Sequence, residues 1–263
     1  MQELQCELQT SLNELAGWCN ENEMSLNSSK TKSMVVGTRQ KLQKHRHTLD
    51  LKLTGESLIQ VKHHKLLGIT IDDHLSWQLH INNICKTISR NIFLLSKLKH
   101  VVSYEAKRAF FFAHILSHVN YVSNVFDECA NDHMLRLQSL HKRAVKQVMS
   151  KSNTSYNERC VAMRTLPLKK QLLYNKGLLV HKIKSGKVPA YLLNIITDSH
   201  RVQSDLGPRN ETQIYPDVRI DLFKCSLKFS GAKAWSECIP PHLKRLSPKS
   251  FKTKFFEHLL KSP

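Results

Sequence analysis

LSWQLHINNICKTISRNIFLL, residues 75–95, is the stretch in which the spacing of the apolar side chains changes. Its apolar residues on one face are Trp77, Ile81, Ile84, Cys85, Ile88, Ile92 and Leu95. Steps of three and four residues are typical of an amphipathic helix whose apolar stripe faces a core. The sequence therefore predicts a long helix here, and the same period continues through most of the chain that follows.

Before residue 75 the sequence predicts one helix and several short strands. Residues 2–20 place Leu4, Leu8, Leu12, Leu15 and Cys19 on one apolar stripe, which predicts an amphipathic helix that needs a partner surface. A strand is predicted at 32–37, where an apolar run ends at a glycine, and a basic linker at 38–47. Alternating apolar residues in 49–53 and 58–61 predict a hairpin turning at 54–56, and 66–71 predict a last strand ending at Asp72-Asp73.

After residue 95 the sequence predicts further helices with recognisable ends. Ser103 is a candidate N-cap for a helix with Ala106, Phe110, Phe111, Ala113 and His114, and the apolar pattern resumes through Leu116, Val119 and Val125. Asn131 or Asp132 is a candidate N-cap for a helix with Leu137, Leu140, Ala144 and Val148 facing inward. The other predictions are a loop at 150–158, a helix begun by Pro167 and ended at 184–186, a short helix at 189–197, a loop or linker at 198–224, and helices at 226–238 and from Ser247. The predicted fold class is mostly α with a small antiparallel β portion.

The charge balance indicates a polyanionic partner. Lysine and arginine number 40 against 21 acidic residues, which gives a formal net charge of +19. Such an excess is typical of nucleic-acid-binding proteins. The alternative is a generally basic, solvated surface.

The cysteines and histidines show no metal-ligand spacing. Seven cysteines, an odd number without a CxxC pair, predict reduced thiols in an intracellular chain, cytoplasmic or nuclear. The histidines, among them His45, His47, His63 and His64, are scattered among basic residues. No apolar run approaches the roughly 18 residues that a membrane span needs. We therefore expect neither a bound metal in this chain nor a membrane partner.

Three stretches, in order along the chain, carry a family resemblance. The first, residues 12–37, contains Trp18-Cys19, then Leu26-Asn27, then Lys30-Thr31-Lys32 before a predicted strand. The second, residues 65–80, contains Gly68, Trp77 and His80. The third covers residues 81–263 and includes LQSLHKRAVKQV, LPLKKQLLYNKGLLVHKIKSGKVPAYL and FSGAKAWSECIPPHLKRLSPKSFKTKFFEHLL. These stretches resemble motif D, motif E (the primer grip) and the helical thumb and tail of Jockey-type, LINE-like non-LTR retrotransposon reverse transcriptases.

The resemblance implies a three-part organisation. It comprises a residual palm of one helix and hairpin strands (1–74), a helical thumb (75–128) and a helical C-terminal region with a loop near 198–224 (129–263). A palm that lacks most of its sheet leaves the stripe of the first helix without its partner. We therefore expect self-association through this exposed surface.

The resemblance also implies a chain that cannot polymerise alone. The family's catalytic carboxylates lie in motifs A and C, and the expectation is that this chain starts after that aspartate box; divalent metal is expected only for the intact polymerase. Asp72-Asp73 looks like the family's Tyr-x-Asp-Asp pair, but no Tyr or Phe precedes it, and its surroundings match motif E. Lys30 matches the motif D lysine, a vestigial general acid here. The alternative is that Lys30 and Lys32 are solvated charges.

For the thumb and the region after it, the resemblance implies helices that lie along a nucleic-acid duplex. Basic outward faces neutralise phosphates without reading bases, so binding would be non-sequence-specific, to RNA or DNA. The candidate phosphate-binding residues are Lys86, Arg90, Lys97, Lys99, Lys107, Arg108, Lys142, Arg143 and Lys146. The aromatic residues Phe110, Phe111, Phe112, Trp235, Phe251 and Phe255 are predicted to lie in the core.

Three interpretations remain open at this point. The first is a catalytically inactive nucleic-acid-binding remnant of a retrotransposon. The second is a fragment of an intact RNA-directed DNA polymerase whose catalytic half is encoded upstream. The third is a domesticated helical interaction protein without a nucleic-acid role.

Overall fold

The structure is a computed structural model that describes residues 2–44, 49–98, 100–149, 153–197 and 225–262. It divides into two compact units, Met1–His80 and Ile81–Pro263. The described part is mostly α with a small β portion, as predicted. The linker predicted at 198–224 lies outside the described residues, and the domain boundaries at 74 and 128 stay predictions.

The first unit contains one long helix, one short helix and three two-stranded sheets among its described residues. In chain order they are α1 (Gln2–Glu21), β1 (Lys32–Ser33), α2 (Arg39–Lys44), β2 (Lys52–Leu53), β3 (Glu56–Ser57), β4 (Ile59–Gln60), β5 (His63–Leu66) and β6 (Ile69–Asp72). The pairs β2–β3 and β5–β6 are antiparallel, whereas β1 and β4 pair in parallel. Two predictions were wrong here: a helix, α2, occupies much of the supposed linker at 38–47, and residues 66–71 are not one strand.

Both antiparallel hairpins reverse through two residues with positive φ. The angles are 51° and 87° at Thr54-Gly55, and 47° and 85° at Leu67-Gly68. This pair of angles is typical of a type I′ turn, whose twist matches that of the flanking strands. The turn predicted at 54–56 is therefore confirmed. The turn at Leu67-Gly68 is the reason that the strand predicted over 66–71 is in fact the end of β5, a turn and β6.

Helix α1 is confirmed, but it does not pack through the whole predicted stripe. Leu12 and Ala16 contact the buried leucines of the β2–β3 region, and Gln9 bridges to the backbone of Lys52, accepting from its N–H and donating to its carbonyl at 2.8 Å each. Cys19 is buried as well. The buried leucines of this core are Leu49, Leu51, Leu53 and Leu58. Gln5 also donates to the carbonyl of Asp50 at 3.0 Å. The first half of the helix is thus held by two glutamines rather than by the predicted leucines.

The second unit is helical throughout its described residues, apart from connecting turns. The boundary between the units falls within α3 (Gln78–Leu98), after which come α4 (Tyr104–Phe111), a π-helical turn (Phe112–Leu116), α5 (Ser117–Asn120), α6 (Ser123–Phe126), α7 (Asn131–Met149), α8 (Tyr156–Met163), α9 (Leu168–Lys184) and α10 (Ala190–Thr197). After the undescribed segment follow α11 (Leu227–Lys233), a second π-helical turn (Ala234–Cys238), α12 (Pro241–Lys244) and α13 (Pro248–Lys261).

Helix ends follow the predicted caps in several places. The Ser103 side chain accepts from the N–H of Ala106 at 3.2 Å, and Ser247 caps α13 in the same way. Helix α8 was not predicted, and it begins inside the supposed loop at 150–158. Ser155 and Glu158 form a reciprocal capping box there, which satisfies two otherwise unpaired N–H groups.

Large buried side chains join the helices of the second unit. Phe251, Phe255 and Tyr174 form a stacked aromatic core between α9 and α13. Gly177 allows this contact, because a Cβ there would lie 2.5 Å from a ring carbon of Phe255. Nearer the centre of the unit, the Tyr156 hydroxyl hydrogen-bonds to the buried His141, whose pKa burial lowers to about 4. The predicted inward face of α7 is confirmed.

Candidate nucleic-acid interface

The whole excess of positive charge belongs to the second unit. Residues 81–263 contain 31 lysines and arginines against 12 acidic residues, a difference of +19, whereas residues 1–80 contain nine of each. The helical unit is therefore the part of the chain that favours binding of a polyanion.

Most acidic side chains described in the second unit serve its own structure. Glu105, Asp132 and Glu158 lie in the first turns of α4, α7 and α8, where a negative charge complements the helix dipole. Hydrogen bonds from its own backbone N–H and from Ser103 lower the pKa of Glu105. Glu105 is also attracted by Lys107 of its own helix, whereas no carboxylate lies on α3.

Two more carboxylates enclose a buried lysine. Lys176 Nζ lies 3.0 Å from Asp127 Oδ2 and 2.5 Å from Glu128 Oε1, and the lysine is 5% exposed. Burial raises the pKa of Asp127 to about 6, although the neighbouring Lys176 opposes the shift. Lys176 thus holds α9 to the segment after α6 and is not part of the basic surface.

Helix α3 presents a continuous basic strip. Lys86, Arg90 and Lys97 are all exposed, and their spacing of four and seven residues places them on one face. The 21-residue helix contains no aspartate or glutamate. We call Lys86, Arg90, Phe93 and Lys97 the α3 strip, because the Phe93 ring is 60% exposed between the charges and Lys97 Nζ lies 5.3 Å from its centroid.

Helix α7 contributes basic residues on two sides. Lys142 and Lys146 are exposed and one turn apart, and Lys142 Nζ lies 5.5 Å from the Tyr156 ring centroid. Arg143 is also exposed and lies on the same side of α7 as Arg136, seven residues earlier. Arg136 Nη1 donates to Asn82 Oδ1 of α3 at 2.6 Å. Arg136 thus links α7 to the first turns of α3, and Arg143 lies on the same side of α7.

The remaining candidates are less accessible or not described. Arg108 is half-buried: its Nε donates to the carbonyl of Met163 at 2.9 Å and its guanidinium lies 4.8 Å from the Phe112 ring. It therefore fastens α4 to the end of α8. Lys107 is half-buried as well, and Lys99 lies outside the described residues.

Sequence reasoning missed two basic residues at the start of α9. Lys169 and Lys170 line a cavity of about 400 Å³ together with Lys142 and Tyr156. Lys170 Nζ donates to the carbonyl of Ser262 at 2.7 Å, so it is partly engaged within the fold. The adjacent lysines after Pro167 were a visible signal, but the cavity depends on α8, which the sequence did not reveal.

The motif-like residues of the first unit have structural roles. Asp72 is 7% exposed, and its carboxylate accepts from the N–H groups of His74, Ser76 and Trp77 and from the Ser76 hydroxyl, at 2.9–3.1 Å. Asp73 lies 3.7 Å from His74 Nε2. In the described part of the chain, no three His, Cys, Asp or Glu side chains lie together as a metal site.

The motif D candidate lies in an ordered turn. Asn27 Oδ1 accepts from the backbone N–H of Lys30 at 2.9 Å and from the Ser29 hydroxyl at 2.7 Å, and Lys30 is exposed. The asparagine thereby fixes the backbone that leads into β1. His80, a motif E match, is buried and its Nδ1 lies 3.4 Å from the N–H of Thr70.

Comparisons of the chain with protein-family models, with curated proteins and with solved structures return no match.

All seven cysteines are free thiols. Across the described ranges, no helix is both long and apolar enough to cross a membrane.

Proposed function

We propose that this chain is a fragment of a non-LTR retrotransposon RNA-directed DNA polymerase that binds nucleic acid through its helical unit. The chain contains no stretch resembling the catalytic motifs A to C, so it lacks polymerase activity alone. The observation that carries the binding proposal is the exposed α3 strip on a helix without acidic residues.

The distribution of charge supports phosphate binding rather than a merely soluble surface. A surface that needs only solubility mixes both signs, as residues 1–80 do with nine basic and nine acidic residues. Among the described residues of the second unit, five of the seven carboxylates lie at helix starts or around Lys176, and none lies on α3. Contacts to phosphates give binding that is strong at low salt and insensitive to sequence.

The geometry around Asp72 supports the absence of a catalytic role for the Asp72-Asp73 pair. A two-metal site needs carboxylate oxygens that are free to bind metal. Both oxygens of Asp72 instead accept hydrogen bonds from the turn that follows it. The pair therefore serves as the structural end of β6 in this proposal.

Charge reversal on α3 tests the binding proposal. Replacing Lys86, Arg90 and Lys97 by glutamate should weaken binding of the full chain to a 20-base-pair duplex at least about tenfold, because three phosphate contacts are lost. The matched control replaces three exposed lysines of α13, Lys249, Lys252 and Lys254, which changes the net charge equally. Fluorescence anisotropy measures both affinities. Equal loss in the two variants would refute the assignment of binding to α3.

A specific observation also favours a second candidate, a helical interaction protein. Leu4, Leu8, Leu15 and Trp18 are 38–55% exposed and share one face of α1. Exposed apolar side chains in a row are typical of a protein-binding face. The two candidates differ in one outcome: an interaction protein still binds its protein partner when the charge of the α3 strip is reversed.

A further inference from the structure

The α3 strip contains an exposed aromatic ring among its charges. Phe93 is 60% exposed, whereas the neighbouring apolar residues Ile92 and Leu95 are 3% and 0% exposed. Phe93 is followed by Leu94, which is 50% exposed, and adjoining exposed apolar side chains suggest a binding partner.

We propose that α3 binds single-stranded nucleic acid, with a base stacked on Phe93 and the flanking phosphates held by Arg90 and Lys97. This inference rests on the proposed nucleic-acid function and names the form of nucleic acid that the strip recognises. Aromatic rings interleaved with cations along one groove or face are typical of sequence-tolerant single-strand binding.

The spacing along the helix suits a short strand. Arg90 lies three residues before Phe93 and Lys97 four residues after it, so all three face the same way. At about 1.5 Å per residue, Lys86 and Lys97 lie roughly 16 Å apart along the axis. A few nucleotides of an extended single strand, with one base turned onto Phe93, span that length.

The side chains next to Phe93 add charge and apolar area to the proposed stacking surface. Lys97 Nζ lies over the Phe93 ring, 5.3 Å from its centroid, so a base would stack on the opposite face while the ammonium holds a neighbouring phosphate. Leu94 is 50% exposed and extends the apolar surface on the adjoining side. Because Phe93 is 60% exposed, it keeps apolar area that a base can cover.

Two features favour a single strand over the other occupants. In a duplex the base faces are already stacked on each other, so Phe93 has no base to contact and only the phosphates bind. A protein partner for this face would have to be acidic, since α3 has no carboxylate and Arg136 adds further positive charge at Asn82. The carboxylates of an acidic protein would pair with the cations alone, whereas an unstacked base with its phosphates accounts for both the ring and the charges.

The test compares single-stranded and duplex binding by the full chain. The probes are a 12-nucleotide single strand containing one 2-aminopurine and the matched duplex. Phe93→Ala should weaken single-strand binding at least about fivefold, the loss of one stacked base, and change duplex binding less than about twofold. Wild-type binding should change the 2-aminopurine fluorescence, and Phe93→Trp should preserve both the affinity and the change.

Leu94→Ala is the matched control, because it removes exposed apolar area without removing a ring. Circular dichroism shows whether each variant keeps its helical content. An equal effect of Phe93→Ala on single strand and duplex, or unchanged 2-aminopurine fluorescence, would overturn the stacking proposal while leaving phosphate binding intact. Loss of self-association in Phe93→Ala with unchanged affinity would assign the ring to a second copy of the chain and overturn it too. Failure of the wild type to bind either probe at low salt would instead refute the proposed function itself.

Discussion

Asp72 holds a turn whose backbone is otherwise unfavourable. Its carboxylate fixes the N–H groups of residues 74, 76 and 77, and two residues of this turn, Leu75 and Trp77, have φ of 52° and 61°. A non-glycine residue seldom adopts such angles without compensating contacts. The acidic side chain therefore stabilises the connection between β6 and α3.

Removing that carboxylate should destabilise the first unit. We expect Asp72→Ala to lower the free energy of unfolding by about 2–3 kcal/mol, because several N–H groups lose their acceptor in a part-buried turn. Asp72→Asn should cost less, since its amide oxygen still accepts. Urea denaturation followed by circular dichroism measures both. Asp73→Ala is the control, and an Asp72→Ala variant as stable as Asp73→Ala would contradict the assignment.

For single residues, the sequence predicted exposure of a side chain correctly where the helical period alone determines it. Lys86, Arg90 and Lys97 are off the apolar stripe of α3, and they are exposed. The role of Arg108 was out of reach, because its acceptor is the carbonyl of Met163 at the end of an unpredicted helix. The helical period places Phe93 on the face of Arg90 and Lys97, off the apolar stripe, and this signal was missed because the residue stands in an apolar run.

Helix α1 leaves a row of large apolar side chains exposed to solvent. It buries a row of mixed polarity, Gln5, Gln9, Leu12, Ala16 and Cys19, to different extents, and it leaves a second, leucine-rich row exposed. Of the predicted stripe, Leu12 and Cys19 belong to the packed row, and the other residues belong to the exposed row. The expected exposure holds for Leu4, Leu8 and Leu15, but Cys19 is buried.

The exposed row should cause self-association. Replacing Leu8 and Leu15 by glutamine should shift the full chain towards the monomer, because it removes the apolar area that drives association. The row lies outside the buried contacts of α1, so its helicity should persist. Sedimentation velocity at several concentrations measures the change. A wild-type chain that stays monomeric at high concentration would refute this prediction, and the paired control is Glu7→Gln on the same helix.

Helices with long apolar stripes were predictable, and so was the short apolar helix α10, whereas the short and more polar helices α2 and α8 were not. The period from Trp77 to Leu95 gave α3, although Trp77 itself precedes the helix. Helices α2 and α8 span 6 and 8 residues, too few turns for a period to emerge from composition. The Leu67-Gly68 turn lay hidden within an apolar run, because leucine is rarely found at positive φ.

In the molecule as a whole, the charges separate by unit. A first unit with balanced charge and a second unit with a difference of +19 predict that any polyanion binds the helical part. The total charge could be predicted from composition. The basic residues that remain free to contact a polyanion could not, because Lys176, Lys170 and Arg108 contact groups that are distant in sequence.

The central claim is that the α3 strip neutralises phosphates, and the salt dependence of binding tests it most directly. The affinity of the full chain for a duplex should fall with a log–log slope of about −3 or steeper between 50 and 200 mM salt, since each neutralised phosphate contributes about −0.9. The variant with Lys86, Arg90 and Lys97 replaced by glutamate should have a slope shallower by about 3. An affinity that ignores salt, or a slope that the triple variant leaves unchanged, would contradict the account.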